Sequence, residues 1–453
     1  MPQTLPFFAL LAATLLAGCT GPIARPTPDA SPIAQTLPAA YADPPTMSAA
    51  TTPVRSDPPV GVTALSPSSV TVPDRLSEMF QRASQPDVWA RLRLGFALPE
   101  LAAPSVESFA ERFAASNLLY KLGPRARRYL HMLTTAAEER GLPAELALLP
   151  IVESGLNPLA RSPARAAGLC QFIPETGRRF GLTQSVLADR RHDLACIDAM
   201  YDYLEQNAAR FDGDWFLALA AYNWGEGAVE RARAKNARAG LPTDYLALRM
   251  PNETRAYVPQ LLALKRLIQD SERYGIALPE VPNEPAVDCT VALPGDMDAG
   301  LAARLAGISG DEFRQLNAGV RKGVISQATH PNVCLPVAAV QRFRTELARH
   351  KGKLASLAAH TVKIPTSLQT VAKLYRTTPE VIREINQIPK GMRLKPGATV
   401  MVPRRPGSAD IPALVAMHAQ LLIEPEPRKK STTKKKSHPP AKRKPSAKKG
   451  VST

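Results

Sequence analysis

Glu153 is the residue whose type and position most directly suggest chemistry in this chain. It lies near the end of the stretch Leu142-Pro143-Ala144-Glu145-Leu146-Ala147-Leu148-Leu149-Pro150-Ile151-Val152-Glu153-Ser154-Gly155. Pro143 suits a first helical turn, Glu145 complements the positive N-terminal end and Gly155 is a natural stop, so the spacing predicts one short helix. Leu142, Leu146 and Leu149 follow helical spacing, and four residues further along that stripe stands Glu153 instead of a hydrophobe. A carboxyl on a buried edge keeps its proton to higher pH because desolvation disfavours the charged form. A proton held near neutral pH is what a general acid needs. The competing expectation is a Glu at the helix rim, paired with one of many arginines.

Other polar groups follow in order. Gly168 permits a close backbone approach or a strained turn, and Gln171 offers both donor and acceptor to sugar hydroxyl and acetamide groups. Small residues before Tyr222, Asn223 and Trp224, with Gly225 and Gly227 after them, predict a tightly packed helix opening into a loop that presents polar groups. Asn252 to Pro259 starts another helix, which carries Tyr257. The remaining carboxylates Glu175, Asp189, Asp193, Asp198, Asp202 and Glu226 sit among arginines or on helix surfaces and are expected to be paired or solvated. The seven histidines are scattered, with no His-Glu-x-x-His or Cys-x-x-Cys spacing, so neither a metal nor another cofactor is expected. Ser154 and Ser162 lack a glycine-framed nucleophile elbow, and His192, between Arg191 and Asp193, is expected to be exposed.

Several elements must position these groups. A chain of 453 residues, 45% hydrophobic, suffices for two to four folded units. Trp89, Leu92, Leu94 and Phe96, then Phe109, Phe113, Leu118, Leu119, Tyr120, Tyr129, Leu130 and Leu133, predict a helical region from about Asp74 that braces the Glu153 helix. A linker is expected over 278–285. Beyond it two units repeat: Ala303, Leu305, Phe313, Leu316 and Asn317 recur at an offset of 69 as Ala372, Leu374, Ile382, Ile385 and Asn386. Two short strands flanking two helices is the simplest unit. Before the helical region, 19–73 is rich in Pro, Ala, Ser and Thr and predicts a disordered tether. The net charge of +17 is concentrated at the other end, where Arg428 to Thr453 supplies eleven Lys and Arg without Asp or Glu, leaving +6 elsewhere. That tail lacks aromatic residues for base stacking, so nucleic acid is not expected; contact with anionic wall or lipid phosphates, or simple solubilisation, is.

Taken in order, Glu153-Ser154, Gly168-Leu169-Cys170-Gln171, Ala221-Tyr222-Asn223 and Glu253-Thr254-Arg255-Ala256-Tyr257-Val258 resemble the motif series of soluble-type lytic transglycosylases, which share the goose-type lysozyme fold. The resemblance covers roughly residues 80 to 405. It departs at Cys170, where Met or Trp is usual, and at Trp224, where a small residue is commoner. Cys170 either reshapes the wall of the sugar site or pairs with Cys196 in an oxidising compartment. The segment Leu16-Ala17-Gly18-Cys19 resembles a bacterial lipobox, although no Lys or Arg precedes its apolar run. That likeness implies lipidation of Cys19 and, with Thr20 following, an outer-membrane anchor facing the periplasm. Thr361-Val362, Leu374, Asn386 and 394–403 resemble a LysM module that grips N-acetylglucosamine-containing chains, with Pro365-Thr366 in place of the usual Gly-Asp. The first unit resembles it less. Cys289 and Cys334 fall on the first and last strands expected there, which favours a disulfide.

The resulting expectation is a mainly α protein: a lysozyme-like helical catalytic domain followed by small α+β (βααβ) LysM-like modules. Its parts are a lipoprotein signal peptide (1–18), the tether (19–73), an N-terminal helical region (74–135), the catalytic domain (136–280), a LysM-like module (286–348), a LysM module (358–404) and a basic disordered tail (405–453). The resemblance implies action on peptidoglycan strands. Glu153 protonates the oxygen between N-acetylmuramic acid and N-acetylglucosamine, then takes the proton of the 6-hydroxyl as a 1,6-anhydro ring closes. It also implies that Ser154 and Tyr257 position the carboxyl and that Gly168, Gln171, Tyr222 and Asn223 line the sugar site. A single carboxylate is consistent with a nucleophile tethered to the reacting ring. The alternatives are a muramidase using water and a noncatalytic wall-binding scaffold.

Overall fold

The computed structural model describes Ser77 and residues 80–426. The expected signal peptide, Cys19, the tether and the basic run from Arg428 lie outside the described residues. The described residues before 280 are mainly helical. Helix α1 (Val88–Gly95) starts where the Asp87 side chain accepts from the Ala90 amide, and it buries Val88, Trp89 and Leu92. Helices α2 (Pro104–Ala115) and α3 (Leu118–Glu139) follow, with Tyr129, Leu130 and Leu133 of α3 fully buried. Two residues expected in this core are outside it: Leu94 is 42% and Tyr120 62% exposed.

The stretch bearing Glu153 is not the single helix expected. A 3-10 turn (Ala144–Leu148) runs into a separate short helix, α4 (Leu149–Ser154). Pro150 accounts for the break, because it has no amide hydrogen to bond backward and fits only the first turn of a new helix. Gly155 ends α4 in the left-handed conformation, at φ 60°. Nor does Glu145 sit at an exposed helix end. It is fully buried, accepts from the amides of Ala97 and Leu98 at 3.0 and 2.9 Å, and pairs with Lys265 Nζ at 3.2 Å. These bonds join α4's approach to the turn after α1 and to the last helix of the domain.

That domain continues through α5 (Pro174–Arg179), α6 (Cys196–Arg210), α7 (Trp215–Trp224), α8 (Glu226–Arg238) and α9 (Asn252–Gln269). Helix α6 begins at Cys196. Helix α9 is largely buried and packs against α2, α4 and α7, so it spans the site. The segment expected as a free linker is instead packed back on α1. Trp89 Nε1 donates to Pro279 O at 2.7 Å and the Val88 amide to Val281 O at 2.9 Å.

The first C-terminal unit contains β1 (Val287–Ala292), β2 (Met297–Asp298), α10 (Ala299–Ala306), α11 (Gly310–Leu316), β3 (Val324–Ile325), β4 (Asn332–Pro336) and α12 (Val337–Arg349). Strand β1 pairs antiparallel with β4, β2 with β3, and a Cys289–Cys334 disulfide crosses the β1–β4 ladder. The second unit contains β5 (Leu357–Thr361), α13 (Leu368–Tyr375), α14 (Pro379–Asn386), β6 (Met392–Leu394), β7 (Thr399–Pro403), α15 (Ala413–His418) and β8 (Ile423–Pro425). Here β5 pairs antiparallel with β7 in register from Leu357↔Pro403 to Thr361↔Thr399, and β6 with β8. The two units share a polar lock. Asn317 exchanges both amide bonds with the Cys334 backbone at 2.8 and 2.9 Å, and Asn386 does the same with Met401 at 2.8 and 2.7 Å. A buried Asn thus closes each helix pair onto its last strand.

The expectation of a disordered tail from 405 is corrected up to residue 425. Ile411, Ala416 and Ala419 are buried with Leu187, Val324 and Met401, one residue set drawn from all three folded units. Apolar residues there cover surface that a purely basic tail would leave wet.

Candidate active site

Glu153 occupies the last turn of α4, facing α9. Tyr257 of α9, itself only 3% exposed, donates its hydroxyl to Glu153 Oε1. Burial pushes the Glu153 carboxyl up to about 8; the Tyr257 bond opposes that rise and the Glu253 charge adds to it. Burial, and then the Glu153 charge, hold Tyr257 and Tyr222 well above the usual tyrosine range, so both remain protonated donors. A protonated carboxyl with one oxygen held by Tyr257 has its other oxygen available to hand a proton outward.

The loop after α4 is fixed from beneath. Ser154 does not touch the carboxyl. Its hydroxyl donates to Pro150 O and Leu169 O at 3.2 and 3.0 Å and accepts from the Asn157 amide at 3.1 Å, tying the end of α4 to the 168–172 loop. Gly168 has φ +80°, and a Cβ there would run into Arg191 O and come within 2.9 Å of His192 Cα. Only glycine fits so close a backbone crossing. Arg191 binds Arg165 O and Phe172 O at 2.7 and 3.1 Å while pairing with buried Asp189 at 2.9 Å. His192, expected at the surface, is buried and bonds Pro158 O through Nδ1 at 2.7 Å. Cys170 is joined to Cys196 at the start of α6, so the loop is covalently tied to that helix.

Gln171 adopts φ 49° and donates through Nε2 to Gly168 O at 2.7 Å. Across the loop, Tyr222 on α7 donates to Cys170 O at 2.6 Å and packs edge-on against Phe172, with ring centroids 5.9 Å apart. Asn223 accepts from Thr254 Oγ1 of α9 at 2.7 Å, leaving its amide nitrogen uncommitted to that bond. The structure therefore brings Glu153, Tyr257, Tyr222, Gly168, Gln171 and Asn223 into one connected framework, with Ser154 acting on the loop and not on the carboxyl. Residues that sequence reasoning left unassigned complete it: Thr254 orients Asn223, and Tyr203 packs at a tilt against Tyr222 with centroids 5.4 Å apart. Thr254 was legible in principle, one helical turn before Tyr257, whereas Tyr203 has no local sequence signal.

A second carboxylate, Glu253, is close enough for its charge to raise Glu153, but it is exposed in the first turn of α9. Glu226 accepts from Tyr203 at 2.6 Å and pairs with Arg179; burial would raise its carboxyl, but Tyr203 and Arg179 outweigh it and hold it at about 2. Asp189 and Asp193 are likewise engaged, with Arg191 and Arg321 and with Arg190 and His330 respectively. Asp198 and Asp202 both pair with Arg140. Among the described residues, no group of three or more His, Cys, Asp or Glu is placed to hold a metal ion.

Residues 132–241 match the family described as Transglycosylase SLT domain, and residues 289–352 that described as Lytic transglycosylase MltD, LysM-like domain. The latter match falls on the first C-terminal unit, where the LysM resemblance had looked weaker. Membrane-bound lytic murein transglycosylase D of Escherichia coli (strain K12) is 34% identical over 298 residues, covering 63% of this chain and 65% of that protein. The chain thus spans just under two thirds of that relative's length. A putative tributyltin chloride resistance protein of Alteromonas sp. (strain M-1) is 34% identical over 177 residues, covering 37% of this chain and 83% of that protein. A structure of an inactive mutant of lytic transglycosylase Slt from Pseudomonas aeruginosa is 19% identical, covering 47% of this chain and 45% of that one, with a TM-score of 0.27.

Proposed function

We propose that this chain, which belongs to the transglycosylase SLT family, is a peptidoglycan lytic transglycosylase with Glu153 as its acid and base. The observation that carries the reading is the Glu153 carboxyl itself, raised to about 8 by burial and hydrogen-bonded by Tyr257. Glu153 gives its proton to the oxygen between N-acetylmuramic acid and N-acetylglucosamine, and the departing sugar takes that oxygen as a hydroxyl. Left as a carboxylate, Glu153 accepts the proton of the muramyl 6-hydroxyl as that oxygen bonds the anomeric carbon. The product is a 1,6-anhydro sugar and Glu153 is protonated again. The tethered hydroxyl substitutes for the water that a second carboxylate would otherwise activate.

Tyr257 holds the carboxyl and keeps a donor on it in both protonation states. Tyr222, Asn223, Gln171 and the Gly168 backbone form the wall for the sugar, and Ser154 fixes the loop that carries the last two. Anchorage at Cys19 to the periplasmic face of the outer membrane, with the C-terminal units retaining glycan nearby, is part of the same proposal. No described helix is long and apolar enough to cross a membrane. Digestion of purified sacculi followed by product mass tests the chemistry. Muropeptides one water lighter than hydrolysis products are expected, and Glu153→Gln should release none. Reducing-end sugars would mean a muramidase; intact sacculi with bound protein would mean a scaffold.

A further inference from the structure

Trp224, the residue after Asn223, lines a groove of about 230 Å³ together with Ala228, Arg231, Ala232, Lys235 and Arg249. Ala228, Arg231 or Ala232, and Lys235 follow one face of α8. The charges of α8 are sorted by face. Its two carboxylates are engaged elsewhere, Glu226 with Arg179 and Glu230 with Arg210, and Arg233 is turned toward Asp212. Among the described residues, Arg231, Lys235 and Arg249 have no carboxylate at ion-pair distance. The opposite bank is held in place, since buried Asn236 donates to Pro242 O and Ala247 O at 2.8 and 3.0 Å and so fastens the loop before Arg249 to α8.

Three unpaired cations around a small cavity concentrate positive potential. The glycan backbone offers them nothing to pair with: its sugars carry hydroxyl, ether and acetamide groups, and the muramyl lactyl carboxyl is consumed in an amide. The carboxylates of a peptidoglycan strand are on its peptide stems. We propose that this groove receives the stem of a muramyl residue bound beside Asn223, with stem carboxylates meeting Arg231, Lys235 and Arg249 and Trp224 covering the apolar portion next to the sugar. The inference rests on the strand-cleaving reading above. It makes the enzyme selective for stem-bearing over naked glycan.

The test uses the full chain and two substrates, strands with stems and the same strands stripped by an amidase and then capped as methylamides at the freed lactyl carboxyls, so that the stripped strand carries no carboxylate. The wild type should favour stem-bearing strands by about tenfold in kcat/KM, expressed mainly in KM, as expected for losing a charge-assisted contact. Arg231→Gln, Lys235→Gln and Arg249→Gln combined should abolish that preference while leaving the rate on stripped strands unchanged. A wild type without preference, or a triple variant that keeps it, overturns the proposal. Sedimentation of Glu153→Gln with both kinds of strand decides the groove without cleavage: about tenfold weaker binding of stripped strands supports it, equal binding overturns it. If the wild type forms anhydro ends on neither substrate, the cleavage reading fails alone, and sedimentation still judges the groove.

Discussion

A carboxyl raised to about 8 has consequences for both rate and stability. As general acid, Glu153 must enter the cycle protonated, so kcat/KM should hold below that value and fall as pH rises through about 8. A pH–rate profile on soluble strands checks this; a limb falling near the ordinary value of 4.5 would remove Glu153 from the role. The same shift sets a stability trend. The folded state holds this proton when the unfolded chain has released it, so stability falls as pH rises from 4.5 toward 8. Glu153→Gln, uncharged throughout, should therefore melt higher than the wild type near pH 8 by a few degrees, with the gap closing toward about pH 4. Tyr257→Phe removes the bond that opposes the rise. The falling limb should move to higher pH and the rate should drop by roughly tenfold to a hundredfold.

The loop at 168–172 is the element on which the sugar wall depends. Gly168→Ala combines a strained positive φ with a collision against the Arg191–His192 backbone, and a loss of more than about 2 kcal/mol in urea unfolding is expected. Opening the Cys170–Cys196 bond by Cys196→Ser acts on the same loop from its other side. The bond closes a 26-residue separation, so a loss of about 2–4 kcal/mol is expected. Because Tyr222 binds Cys170 O, substrate KM should rise together with the loss of stability. An unchanged KM would show that the loop keeps its place without the bond.

Across the whole molecule the folded units are joined by buried charge as well as apolar contact. Arg321 of the first C-terminal unit reaches Asp189 at 2.6 Å, the Gly319 amide donates to Asp193 at 3.0 Å, and Ser185 donates to Ala416 O at 2.8 Å. Asp189 is also the partner of Arg191 beneath the sugar-site loop. Asp189→Ala strands two arginines at one stroke, and a loss of about 3–5 kcal/mol is expected. Calorimetry should show the wild-type domains melting in one transition and the variant in two. A single transition in both would mean that the apolar patch around Leu187, Met401 and Ala416 is sufficient to hold the units together.

What depends on local pattern is legible in the sequence: the helical class of residues 80–280, the Gly155 stop, the strand–helix–helix–strand repeat and its paired asparagines, and Glu153 as the misplaced carboxylate on an apolar stripe. Each of these follows from spacing within a few turns of chain. What depends on distant partners emerges only in the folded chain. The 3-10 turn before Pro150 is held in place by Glu145, which binds the Ala97 and Leu98 amides and Lys265 of α9. Ser154 serves the loop because Leu169 O lies over it. His192 is inside because the Gly168 crossing covers it, and residues 411–425 fold because apolar surface from two other units is there to be covered. Burial is a property of assembled surfaces. A periodicity can say that a residue faces inward, but the energy of a buried charge is set by which groups the fold brings against it.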